Sequence, residues 1–157
     1  MIASKDKNLK KKVITIVCYA NFCRSPVIKK ILESKTSKFI FDSAGIIQHT
    51  SNSMDLRSAK YLREIGLDRI DHIPKKISQN DIMKSDLIIA VDNIVYISLL
   101  KQVKNREVLK MFSMFPETED ISDPIKFDEA KYLNEMKKIN NNCDFWAFKL
   151  NSIINLK

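Results

Sequence analysis

An α/β fold, with a parallel sheet covered by helices on both faces, is predicted by three observations. Short apolar runs alternate with helix-like segments along the whole chain. No internal repeat or linker composition divides it. Its 157 residues suffice for one domain with a real core. Strands that alternate with helices pair in parallel through right-handed crossovers, giving a three-layer sandwich. Phosphate-like ligands then bind beyond the carboxyl ends of the strands.

The first strand is predicted over Val13–Val17, a short, mostly apolar run of the kind a sheet covered on both faces requires. A helix over Pro26–Ser34 follows, with Ser25 as N-cap and Pro26 at the first helical position. Strand two is read at Lys38–Ser43 and a helix at Asp55–Ile65. A short turn at Asp81–Met83 precedes strand three, Leu87–Val91, and a helix over Asn93–Lys101. Strand four is read at Glu107–Met111. The last helix is read over Asp128–Ile154, with Ala130, Leu133, Met136, Trp146 and Leu150 as apolar positions. The run Asn140-Asn141-Asn142 is a candidate interruption, because asparagine is a weak helix former.

The turn between the first strand and first helix reads Cys18-Tyr19-Ala20-Asn21-Phe22-Cys23-Arg24-Ser25-Pro26. A cysteine reacts as thiolate, and its free pKa near ~8.5 leaves it mostly protonated at neutral pH. A helix N-terminus, converging backbone N–H groups and a guanidinium all favour the anion. This loop can supply all three, and the same groups bind phosphate. Arg24 can hold two phosphate oxygens through its planar fork, as lysine could not. Ser25 can donate to the sulfur. Cys18 would then attack phosphorus and form a cysteinyl-phosphate that water releases. The competing reading is a buried strand-end cysteine beside an ordinary surface arginine.

At these residues the chain resembles the low-molecular-weight protein tyrosine phosphatases, whose signature is V-C-x-G-N-x-C-R-S-P. Val17, Cys18, Asn21, Cys23, Arg24, Ser25 and Pro26 match it. Further matches occur in order: Asp42-Ser43-Ala44-Gly45, then Asp55-x-Arg57-x-Ala59 with Leu62 and Gly66, Asp86 to Asp92, and Ser122-Asp123-Pro124. The sheet order expected is 2-1-3-4. The resemblance implies Cys18 as nucleophile, Arg24 as phosphate clamp and Asp123 as general acid, then base. Tyr19, Ala20, Asn21, Phe22, Cys23 and Ser25 complete the phosphate loop, braced by Ser43 and His72. Asp123 stands before Pro124, which favours an extended loop. Such an acid is typically worth roughly 100- to 10,000-fold. The ordinary alternative is an exposed turn aspartate near Glu117-Thr118-Glu119-Asp120, and Asp120 is the substitute acid. A reversible Cys18–Cys23 disulfide is also implied, against a Cys23 that only packs beneath the loop.

Several residues depart from the family pattern. Ala20 replaces a glycine and would be strained if its φ were positive. His49, Ile125 and Lys126 stand where relatives place cleft aromatics, and Gln48 to Ser53 lacks the glycine and proline common there. Val95 replaces a frequent asparagine. Tyr19 and Phe22 suit walls for a phenyl ring. A protein-arginine phosphatase relative carries threonine at the Phe22 position. Thioredoxin-coupled arsenate reductases need two more cysteines near the third strand, and Ser78 to Leu100 contains none.

The resemblance implies a phosphotyrosine-containing protein as substrate, inorganic phosphate as product and inhibitor, and no metal or organic cofactor. Cys18 and Cys23 alone have poor zinc-ligand spacing. Two alternatives stay open: the same fold acting on another phosphoryl or arsenate substrate, and a non-catalytic phosphate-binding module. The net charge of +8 favours anionic partners. The lysines are scattered and no nucleic-acid-binding motif occurs, which argues against nucleic acid. Lys5 to Lys12 followed by Val13 to Val17 imitates the start of a signal peptide, but the apolar run is short and no small-residue cleavage site follows. Residues 1–12 are therefore expected to form a flexible basic extension before a phosphatase domain at 13–157. No stretch can span a membrane. Three cysteines make no disulfide framework, and a reactive thiol suits a cytoplasmic location.

Overall fold

Residues of the first strand point alternately to its two faces, and each face is buried in a core of its own. A computed structural model describes residues 10–68 and 70–154. Strand β1 runs Lys12–Cys18, β2 Phe39–Gly45, β3 Leu87–Ala90 and β4 Leu109–Met111. Helix α1 runs Ser25–Lys35, α2 Leu56–Glu64, α3 Gln79–Lys84, α4 Asn93–Leu100 and α5 Glu129–Ile154. All pairings are parallel, in the order β2-β1-β3-β4, as expected. Ile14, Ile16 and Cys18 of β1 face a core shared with α1, α2 and α5. Val17 faces the opposite core, with Ala44, Ile88, Ala90 and the α4 residues Val95 and Leu99.

Register aligns the carboxyl ends of the strands. Cys18 pairs with Gly45, Val17 with Ala90, and Ala90 with Met111. The loops after β1, β3 and β4 therefore leave the sheet along one edge. Most of the extension expected at 1–12 lies outside the described residues, and Lys12 is already the first residue of β1.

Most element ends shift from expectation by one or two residues, and four differences have a local reason. Glu107 and Val108 lie in a single 3-10 turn, because the Asn105 side chain accepts from the Glu107 N–H at 3.1 Å and delays β4 to Leu109. Ser25 is not the N-cap of α1. Arg24 holds that position without a side-chain cap, and Ser25 is the first helical residue. Helix α3 is longer than the turn expected, because Ser78 and Asp81 form a capping box. The asparagine run does not interrupt α5. Asn142 is buried, and its amide accepts from the Glu119 N–H at 3.0 Å and donates to the Glu119 carbonyl at 2.8 Å. Ala130 and Leu133 face outward, and Tyr132, Met136, Ile139, Cys143, Trp146, Ala147 and Leu150 form the buried stripe. Among the described residues no helix is long and apolar enough to cross a membrane.

A charge cluster fixes the segment between α2 and α3. Asp81 accepts from the Ser78 N–H at 2.9 Å, and its other oxygen lies 3.3 Å from Lys75 Nζ and 3.2 Å from Lys84 Nζ. Burial alone would raise its pKa, but the bonds from Ser78 and the two lysines bring it down to about 2. A carboxylate that is more acidic folded than unfolded contributes stability above pH ~4, and that stability is lost as pH falls towards about 2. Asp81→Asn should therefore cost on the order of 2 kcal/mol at neutral pH and flatten the fall in stability between pH ~4 and ~2. Urea unfolding across that range measures both.

Candidate active site

Strand β1 ends on Cys18, and the chain then wraps around its own last side chain. The turn back is made at Asn21, whose φ of 55° is the only positive value at a non-glycine residue among those described. Asparagine tolerates this region better than most residues. Ala20 therefore carries none of the strain that a positive φ would impose. The wrap brings the Asn21 N–H to 3.2 Å from Cys18 Sγ. Ser25 Oγ stands 3.0 Å from the same sulfur. Asn21 Nδ2 donates to Ser25 Oγ at 2.8 Å, which leaves the serine proton free to point at sulfur.

The glycine this loop requires is Gly45, at the end of β2. A Cβ built there would lie 2.7 Å from the Ala20 carbonyl carbon and 2.8 Å from the Asn21 nitrogen. The backbones touch, and nothing flexible lies between them to yield.

Asn21 is held on every side. Its Nδ2 also donates to Ser43 Oγ at 3.0 Å, and its Oδ1 accepts from the Lys75 N–H at 3.0 Å. His72 Nε2 lies 2.7 Å from the Asn21 carbonyl, which can only accept, so the imidazole donates from Nε2. Burial depresses the pKa of His72 against the pull of that carbonyl, and Lys29 and Lys30 add to the depression. His72 is thus the neutral tautomer protonated on Nε2.

Arg24 is 1% exposed, so its charge has to be met inside the protein. Nη1 donates to Asp92 Oδ2 at 2.7 Å and to the Ile121 carbonyl at 3.2 Å. Nη2 lies 3.8 Å from Asp123 Oδ2. Burial opposes the charge, but Cys18, Asp92 and Asp123 outweigh it and raise the pKa of the guanidinium. Asp92 was not foreseen as a site residue. Its other oxygen accepts from the Val95 N–H at 2.9 Å and caps α4, so one carboxylate fixes both a helix and the arginine. An N-cap signal marks it in sequence, but only the fold shows which cation it meets.

Asp123 lies on the loop after β4. Its Oδ1 accepts from the Ile125 N–H at 3.3 Å, and the side chain is 42% exposed. Ser122 N–H reaches Glu135 of α5 at 2.9 Å. Cys18, Arg24 and Asp123 line one cleft of about 210 Å³, whose walls are Tyr19, Phe22, Ile47, His49 and Ile125. The His49 ring stacks on Phe22, with centroids 4.1 Å apart, and its Nδ1 accepts from the Ser51 N–H. Ile47 was not foreseen. Lys126 is exposed and does not line the cleft.

Cys23 is a buried free thiol that lines the same cleft as Cys18. Burial, reinforced by the nearby Asp55 carboxylate, pushes its pKa up to about 12. Its carbonyl accepts from Ser58 Oγ at 3.0 Å, and Ser58 in turn contacts the Tyr132 hydroxyl.

Two measurements check this arrangement. Gly45→Ala should displace the Ala20–Asn21 backbone and lower phosphate affinity at least about tenfold, because small misplacements in such sites are costly. Competition by inorganic phosphate measures it. His72 holds its proton less readily folded than unfolded, so the unfolded chain binds more protons below pH ~6.5 and stability falls as the pH drops there. His72→Gln, which keeps a donor for the Asn21 carbonyl, should reduce that fall. Urea midpoints at pH 7 and pH 5 decide it.

The family model described as low molecular weight phosphotyrosine protein phosphatase matches residues 13–155. A probable low molecular weight protein-tyrosine-phosphatase of Ralstonia nicotianae, EpsP, is 23% identical over 146 residues, spanning 90% of this chain and 98% of that protein. The Acinetobacter johnsonii enzyme Ptp is 32% identical over 80 residues, 51% of this chain and 56% of that one. Among solved structures, Wzb of Vibrio vulnificus in complex with benzylphosphonate superposes with a TM-score of 0.81 at 21% identity, covering 89% of this chain and 99% of that one. The Erwinia amylovora tyrosine phosphatase AmsI gives a TM-score of 0.82 at 21% identity, covering 91% and 95%. On a match that spans nearly all its length, the chain belongs to the low molecular weight protein-tyrosine phosphatase family.

Proposed function

We propose that this enzyme hydrolyses phosphotyrosine in proteins through a cysteinyl-phosphate on Cys18, with Asp123 as general acid and then base. The observation that carries the reading is the shared cleft. One thiol, one guanidinium and one carboxylate line it, beneath walls of Tyr19, Phe22 and Ile125 that suit an aromatic ring.

The steps balance without a further reactant except water. The Cys18 thiolate attacks phosphorus, forming an S–P bond as the P–O bond to the tyrosine breaks. Asp123 gives its proton to the departing phenol oxygen. Asp123 then takes a proton from water as that water attacks phosphorus, the S–P bond breaks, and phosphate leaves. The Asn21 N–H and the Ser25 hydroxyl hold the thiolate between turnovers. Arg24 has Nη1 occupied by Asp92 and Ile121, while Nε and Nη2 make no hydrogen bond among the described residues. That free edge is the one available to two phosphate oxygens.

A thiol relay of the arsenate reductase kind finds no support from the third cysteine. Cys143 lies on the buried stripe of α5, within the core, and burial pushes its pKa well up. The Vibrio vulnificus relative was solved with benzylphosphonate, an aryl-methyl phosphonate, which agrees with an aromatic phosphoester as ligand here.

Steady-state hydrolysis of a phosphotyrosine peptide, without added metal, tests the reading. Cys18→Ser should abolish turnover while leaving phosphate binding. Asp123→Ala should lower turnover of poor leaving groups by about 100-fold or more. Persistent turnover in Cys18→Ser would exclude the thiol mechanism. Fully reduced protein that binds phosphate without turnover would make the cleft a recognition module.

A further inference from the structure

We propose that Arg57 is a positioning residue for Asp123, acting only through the loop that carries it. The inference rests on the reading of Asp123 as the acid. Arg57 lies in the first turn of α2, and its guanidinium crosses to the backbone that follows Asp123. Nη1 donates to the Phe127 carbonyl at 2.6 Å. Nη2 donates to the Ile125 carbonyl at 3.0 Å and reaches the Pro124 carbonyl at 3.5 Å. Three carbonyls within four residues converge on one side chain. Its flat face lies 3.9 Å above the Tyr132 ring of α5, which fixes the plane of the fork.

On that side the loop is otherwise held by the buried Pro124 and by the Phe127 N–H, which donates to the Pro124 carbonyl at 2.9 Å, while Ser122, Asp123, Ile125 and Lys126 are exposed. Upstream of Asp123, Arg24 holds the Ile121 carbonyl and Glu135 the Ser122 N–H. Downstream, Arg57 supplies the corresponding hold. The same turn of α2 also grips the thiol loop. Asp55 N–H donates to the Phe22 carbonyl at 3.0 Å, and Ser58 Oγ donates to the Cys23 carbonyl at 3.0 Å. One turn of helix therefore sets the separation of the two halves of the site. Lysine has three donors on one nitrogen, but it could neither spread them in a planar fork across these carbonyls nor stack as a plane on Tyr132.

The test compares kcat/KM for two aryl phosphates in the full chain, because this constant reports the step in which the leaving group takes its proton. Dinitrophenyl phosphate needs no acid, and phenyl phosphate does. Arg57→Ala should lower kcat/KM for phenyl phosphate about tenfold or more, and for dinitrophenyl phosphate by less than about threefold. Inhibition by inorganic phosphate should be unchanged, Arg57→Lys should fall between, and Arg57→Ala should add little to Asp123→Ala. Equal losses on both substrates, no loss on either, or additivity with Asp123→Ala would overturn the proposal. Should Arg57→Ala fail to fold, Arg57→Lys and Tyr132→Leu carry the same comparison. If Asp123→Ala itself does not separate the two substrates, the acid assignment fails and takes this proposal with it. If Asp123→Ala separates them and the Arg57 variants do not, only the role of Arg57 is wrong.

Discussion

The buried charge of Arg24 is the constraint on which the rest of the site depends. A guanidinium almost wholly removed from water persists only where partners gather around it, since an unpaired buried charge costs several kcal/mol. Those partners come from three different crossovers. Cys18 ends β1, Asp92 follows β3, and Ile121 and Asp123 belong to the connection after β4. Folding the chain so that Arg24 is satisfied therefore assembles the thiol and the carboxylate in the same cleft. The parallel register makes this economical, because it sends all three connections out along one edge of the sheet.

Around that charge lies a second layer made mostly of backbone. Asn21 adopts a left-handed conformation, and four partners hold it there: Ser25, Ser43, Lys75 and His72. Ser25 belongs to the loop itself, Ser43 to β2, and His72 and Lys75 to the segment between α2 and α3, so bonds from three parts of the chain meet the strain of one residue. The neutral His72 matters in this layer because a neutral donor bonds the carbonyl without adding a further cation to those of Lys29 and Lys30. Helix α2 makes the third connection, since its first turn touches both the thiol loop and the loop of Asp123.

The departures from the family pattern separate into two kinds on this view. Ala20 replaces a glycine without adopting a positive φ, because the left-handed turn sits one residue later at Asn21, and the close approach that forbids a side chain sits opposite at Gly45. The changes at His49 and Ile125 alter the walls of the cleft and leave its floor intact. His49 stacks on Phe22 and so keeps a flat wall in a chain that lacks the larger aromatic. His49 and Ile125 line the cleft that also holds Cys18, Arg24 and Asp123.

Local sequence determined a great deal. The apolar runs of β1 and β3, the Ser-Pro start of α1 and the spacing of Cys18 and Arg24 are legible because strand burial, helix entry and anion binding each leave a short-range mark. The parallel order and the thiol loop followed from those marks and the family resemblance. What local sequence could not settle was every contact made across the fold. That Asp92 meets Arg24, that Arg57 gathers the carbonyls beyond Asp123, and that Ile47 lines the cleft while Lys126 does not all depend on pairs of residues far apart in the chain. The asparagine run in α5 shows the same limit, since its weak helix preference was outweighed by the bonds that Asn142 makes to Glu119. Propensity and spacing are properties of neighbours in sequence, whereas the balance of a buried charge is decided only when the tertiary structure brings its partners together.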